Sequence, residues 1–107
     1  MSAEEVGELL CNFPSDTKVL DLSHLGIRHL PCLLNFHCLE VLHIEYNELV
    51  YLPPFPYTLK RIYCSNNKLK ALPPLPEELE FLDCSNNRLK SLPIIKSGVK
   101  VIRHGNI

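Results

Sequence analysis

Apolar residues return in a fixed phase along most of this chain. Leu39, Leu59, Leu79 and Val99 stand 20 residues apart. The same interval separates Leu42, Ile62, Leu82 and Ile102, then Ile44, Cys64, Cys84 and His104. Leu49, Leu69 and Leu89 follow, then Leu52, Leu72 and Leu92, and an earlier set (Leu20, Leu22, Leu25, Ile27, Leu30) fits at a spacing of 22. Around positions such as Leu82 and Cys84 apolar and polar residues alternate, which is the period of a strand. A unit this short cannot bury its own apolar side. Stacked units can, with parallel strands about 4.7–4.9 Å apart and one continuous core. The pattern predicts an α/β solenoid of four units and a fifth that stops partway at Ile107.

The polar positions of the repeat have their own logic. Asn47, Asn67 and Asn87 recur where the chain must bend out of its strand and leave backbone groups without partners. A buried amide has donors and an acceptor to satisfy them, so these residues are expected to form a structural ladder. The first unit has Leu25 in that place. "PPFP" at 53–56 and "PPLP" at 73–76 fall on the return side of each unit. Proline pre-sets an extended backbone and needs no donor partner, so the convex side is expected to be extended rather than helical. "PPLP" also matches proline-rich ligands of small adaptor domains, but its recurrence at the same phase favours a structural return.

The ends differ from the repeats. In "SAEEVGELLCNF", Ser2 and Glu5 make a capping box, and Val6, Leu9, Leu10 and Phe13 form an apolar stripe. Residues 1–16 are read as a helical N-terminal cap and residues 17–107 as the repeats of a single domain, 1–107. "VKVIRHGNI" is read as a last strand, with Lys96, Lys100 and Arg103 guarding an exposed edge.

The recurring L-x-x-L-x-L/C-x-x-N-x-L pattern resembles the leucine-rich repeat family across residues 17–107. The 20-residue period with "LPPLPEEL" is similar to a short subtype found in secreted effectors of pathogenic bacteria and in proteins of large DNA viruses. The resemblance implies a horseshoe with a parallel β ribbon on its concave face. It also implies a non-enzymatic module that binds another protein or peptide. Some such effectors carry a ubiquitin-ligase domain after the repeats, and none of residues 1–107 is expected to belong to one.

Outward positions on the ribbon are free of the core's demands and carry the information about a partner. One column is read as Val19, Val41, Arg61, Phe81, Val101, and the next as Asp21, His43, Tyr63, Asp83, Arg103. A third holds Ser23, Glu45, Ser65, Ser85 and Gly105, and beside it run His24, Tyr46, Asn66 and Asn86. The candidate partner-binding residues are therefore Val41, His43, Glu45, Tyr46, Arg61, Tyr63, Phe81, Asp83, Val101 and Arg103. Tyr46, Arg61, Tyr63 and Phe81 are of the types enriched in binding hot spots. Five rungs and strands of ordinary length give a face of roughly 350–400 Å². A stable interface takes about 800 Å² per partner, so a short peptide or a weak contact fits this face better than a large flat surface.

Composition removes other classes. The net charge is −1, too little positive charge for a nucleic-acid module. No apolar run reaches the ~20 residues of a membrane span, and the acidic start does not read as a secretory signal. Five cysteines (Cys11, Cys32, Cys38, Cys64, Cys84) show no even framework, so free thiols in a reducing, cytoplasmic setting are expected. Cys64 and Cys84 share one inward slot and read as small buried apolar groups rather than a redox pair. Cys32, His37 and Cys38 lack a zinc spacing. His24, His29 and His43 lie near Asp21 and Glu45, but no nucleophile elbow or glycine-rich phosphate loop accompanies them. No metal, cofactor or catalytic residue is expected.

Two alternatives remain for function. Residues 1–17 hold four acids and no base, and residues 84–107 hold five bases and no acid. That asymmetry fits an assembly component, such as a minor virus-particle protein, joined through its C-terminal edge. The effector resemblance also allows a substrate adaptor for a ligase acting in trans.

Overall fold

The computed structural model describes residues 1–107. One helix, α1 (Ala3–Cys11), precedes five strands: β1 (Val19–Asp21), β2 (Val41–His43), β3 (Arg61–Tyr63), β4 (Phe81–Asp83) and β5 (Lys100–Ile102). The strands form one parallel sheet in chain order. The molecule is a stack of about four solenoid turns, 34 × 25 × 17 Å. Each strand has three residues, but backbone bonds between rungs continue beyond it. Ile44 N–H donates to Tyr63 O at 2.9 Å and Tyr46 N–H to Ser65 O at 3.0 Å.

Leu20, Leu42, Ile62 and Leu82 point inward and are fully buried, as are Leu22, Ile44, Cys64 and Cys84. They join Leu39, Leu49, Leu59 and Leu69 in one continuous core. The Pro-rich segments 51–56 and 71–76, and segment 91–96 with Pro93, contain neither helix nor strand, and each leads into a tight turn. Short extended returns of this kind close each coil without a convex helix.

At the first rung, Ser2 caps α1: its hydroxyl accepts from Glu5 N–H at 3.2 Å, and the Glu5 carboxylate accepts from Ser2 N–H at 2.9 Å. Those bonds from Ser2 hold the Glu5 carboxyl below its ordinary value. Val6 and Leu10 are the buried residues of the helix and close the core at this end.

The asparagines bind rung to rung. Asn67 Oδ1 accepts from Leu49 N–H at 3.0 Å, and its Nδ2 donates to Ile44 O at 3.0 Å and Cys64 O at 3.3 Å. Asn87 repeats this with Leu69 N–H, Cys64 O and Cys84 O. Asn47 reaches the first unit, where Leu25 N–H and Ile27 N–H donate to it.

The last rung departs from the 20-residue frame. β4 and β5 pair as Phe81↔Lys100, Leu82↔Val101 and Asp83↔Ile102. The return from Leu92 to Val101 is one residue shorter than that from Leu72 to Leu82. Every later residue therefore shifts by one, and a one-residue slip turns each strand side chain to the opposite face. Val101 packs inward against the core and Ile102 takes the outward place. Arg103 follows in the slot that Cys84 fills one rung earlier. The assignment of Val101 and Arg103 to the outward columns is corrected accordingly, as is that of Ile102 to the core. Asn106 supplies the next step of the ladder, accepting from Leu89 N–H at 3.0 Å and donating to Cys84 O at 3.1 Å.

Candidate protein-binding face

The outward columns of the ribbon meet side by side because the rungs are in register. The first runs Val19, Val41, Arg61, Phe81, Lys100, and the second Asp21, His43, Tyr63, Asp83, Ile102. Lys100 and Ile102 were missed by the 20-residue frame; the signal for them was the pair Gly105–Asn106, which repeats Asn86–Asn87 at an interval of 19.

Aromatic groups line up along the second column and its neighbour. The His43 and Tyr63 rings stack at 4.4 Å, and Tyr63 meets Phe81 at 5.2 Å in a tilted arrangement. The Arg61 guanidinium lies over the Phe81 ring at 5.2 Å, within reach of a cation–π attraction. A second stack, His24 on Tyr46 at 4.5 Å, runs along the far side of the face. These contacts fix the rings before any partner arrives, so less side-chain entropy remains to be lost on binding.

The third column differs from expectation. Ser65 and Ser85 are buried, whereas alternation along the strand places them outward. Here the chain turns toward left-handed backbone at the next residue, which carries the serines under the face. His24, Tyr46, Asn66 and Asn86 have φ of 56°, 58°, 56° and 55°, and Gly105 has 74°.

The acidic residues are held in two ways. Asp21 accepts from the Ser23 hydroxyl at 2.6 Å and the Ser23 N–H at 3.0 Å, which holds its carboxyl below the ordinary value. Asp83 is bonded to Ser85 in the same way, at 2.7 and 3.1 Å. In rung two the pair is His43 and Glu45 instead, with Nδ1 to Oε2 at 3.1 Å. The other oxygen, Glu45 Oε1, is shut off from solvent and has no hydrogen-bond partner.

No cluster of three or more His, Cys, Asp or Glu side chains is arranged to hold a metal ion. Cys11 and Cys32 are exposed and Cys38 is half-buried, whereas Cys64 and Cys84 sit in the core. Burial pushes the Cys64 thiol well above its ordinary value, and Cys84 is pushed up to about 11. No helix is long and apolar enough to cross a membrane.

A parallel ribbon, an asparagine ladder and short extended returns together define a leucine-rich repeat protein. The family described as Leucine Rich repeats (2 copies) matches residues 58–97. The chain belongs to this family, with repeats like those of bacterial effectors. It is similar to the leucine-rich repeat domain of a Shigella effector, with a TM-score of 0.74 and 35% identity over 90% of this chain and 42% of that one. It is also similar to YopM from Yersinia enterocolitica, with a TM-score of 0.69 and 26% identity over 85% of this chain and 25% of that one. The chain thus spans less than half the length of either structure. None of the curated proteins compared with it matches. Leucine-rich repeat domains generally bind proteins, and those of effectors are typically non-enzymatic.

Proposed function

We propose that this protein is a non-enzymatic interaction module that takes a protein segment on its concave ribbon. The observation that carries the reading is the row His43–Tyr63–Phe81 with Arg61 laid over Phe81. These side chains are half-buried or exposed, preorganised by mutual stacking, and not required by the repeat. Val41, Glu45, Tyr46 and Asp83 surround them on the same face. The small area of the face favours a short extended segment. A partner in the cytoplasm is supported by the five unbridged thiols.

Replacing Tyr63 and Phe81 together by Glu tests this reading. The double variant is expected to keep its fold and lose partner capture in pull-downs. Undiminished capture by the folded variant would refute it.

Assembly through the ends is a second reading, favoured by acids on α1 (Glu4, Glu5, Glu8) and bases near β5 (Lys100, Arg103). It predicts salt-sensitive growth in mass with concentration, measured by light scattering. The adaptor role has only the effector likeness behind it.

A further inference from the structure

Rung two breaks the repeat at two adjacent residues, and both breaks carry a cost. At Glu45 one carboxylate oxygen is closed off from water and unpartnered. Such an orphan acceptor is destabilising until a donor reaches it. At Tyr46 the backbone is left-handed, with φ 58°. Rungs three to five place Asn66, Asn86 and Gly105 there, residue types that adopt this conformation readily. A bulky Tyr does so under strain, and strain of this kind concentrates at binding sites. The ring is not hidden in exchange: Tyr46 stays 52% exposed.

The surroundings define the chemistry of an occupant. Glu45 is flanked by two aromatic stacks, His24–Tyr46 and His43–Tyr63. The outward side chains of rungs one and two include two carboxylates, Asp21 and Glu45, and no Lys or Arg. The basic residues lie farther along, where Arg61 is engaged over Phe81 and Lys100 begins β5. A carboxylate with a spare acceptor between aromatic groups suits a cation that also donates hydrogen bonds.

We propose that Glu45 and Tyr46 form a subsite for a guanidinium side chain, an arginine of the bound segment. This deepens the concave-face reading above and rests on it. The planar fork donates to Glu45 Oε1 and Oε2 as the carboxylate turns outward, and Glu45 keeps 19% of its side-chain surface exposed for that movement. The Tyr46 ring provides the apolar, electron-rich wall. The left-handed backbone is what presents that ring at the rim of the face.

The test uses the intact chain and N-acetyl-arginine amide as the probe, followed by amide NMR, with the neutral citrulline counterpart as control. Arginine is expected to shift the amides of Ser23, Glu45, Tyr46 and Ser65. Citrulline and the near-isosteric Glu45→Gln variant should each weaken that response about tenfold or more. Tyr46→Asn should bind arginine more weakly yet melt at a higher temperature, a combination that mere structural damage does not produce. Equal binding of arginine and citrulline, or unchanged arginine binding by Glu45→Gln, overturns the subsite. So does a response confined to residues outside the concave face. Should the subsite fail while Tyr63→Glu with Phe81→Glu still abolishes partner capture, the concave-face reading survives without it.

Discussion

The Asn87 side chain donates to the backbone carbonyl of Cys64, 23 positions earlier in the chain, over 3.0 Å. One amide therefore holds two rungs at their spacing, and it does so inside the core where water offers no substitute. The stack is tied along its length by polar bonds as well as by apolar contact.

Asn67→Ala would remove the acceptor of Leu49 N–H and a donor to Ile44 O, both buried. An orphaned buried group costs about 1–3 kcal/mol, so a loss on the order of 3 kcal/mol is expected in urea unfolding. Asn106→Ala should cost less, because its bonds are only partly buried.

Two glycines should answer alanine in opposite directions. A Cβ at Gly105 would overlap the Asn86 side chain and lie 3.2 Å from Asn86 Cα, at φ +74°. Gly105→Ala is expected to destabilise by roughly 1–3 kcal/mol. A Cβ at Gly7 meets nothing within 4 Å and sits inside α1. Gly7→Ala should stabilise by about 0.5–1 kcal/mol, and thermal melting reads both.

The thiols should separate by reactivity. Cys11 and Cys32 are exposed and should react quickly with an aromatic disulfide reagent near neutral pH. Cys64 and Cys84 should react only after unfolding. Both buried thiols keep their protons in the folded chain at pH values where an unfolded thiol loses its own. The unfolded state then binds fewer protons, so stability falls as pH rises above the ordinary thiol value of 9.0, and for Cys84 the fall ends near pH 11. A denaturation series across that range measures the slope. Stability that stays flat or rises there would contradict the burial of these thiols.

The cap should be worth more than its length suggests. Leu10 is 8% exposed and lies in the core that α1 closes. Leu10→Ala is expected to cost about 2 kcal/mol, at the low end for a buried leucine because the site is at the end of the stack. Amide exchange should speed first around β1, which loses its cover.

Much of this was legible in the sequence for a physical reason. Leu42, Ile62 and Leu82 share a slot that only an apolar group can fill, so the period of the fold is printed as a period of letters. Ser2 and Glu5 were legible because a capping box is a local bond. The fifth rung is hidden because the shortening falls in "IIKSGVK", where Val99 still packs against the core at the 20-residue spacing and so masks the missing residue. The burial of Ser65 and Ser85 was hidden too. It depends on the left-handed turn that follows each of them, and alternation assumes a strand that continues straight. The stacking of His43 on Tyr63 had no signal beyond column placement, since it requires both side-chain directions.

The left-handed position in every rung also sets unequal mutational freedom across the face. Substitutions in the columns of Arg61 and Tyr63 meet no backbone constraint beyond that of a strand, so selection can rewrite them with almost any residue. The column of Tyr46 admits β-branched residues poorly and favours glycine and asparagine. A lineage adapting to a new partner would change the first two columns readily and the last one seldom. A tyrosine fixed there is therefore a harder trait to acquire, and an easier one to lose, than any other on this surface.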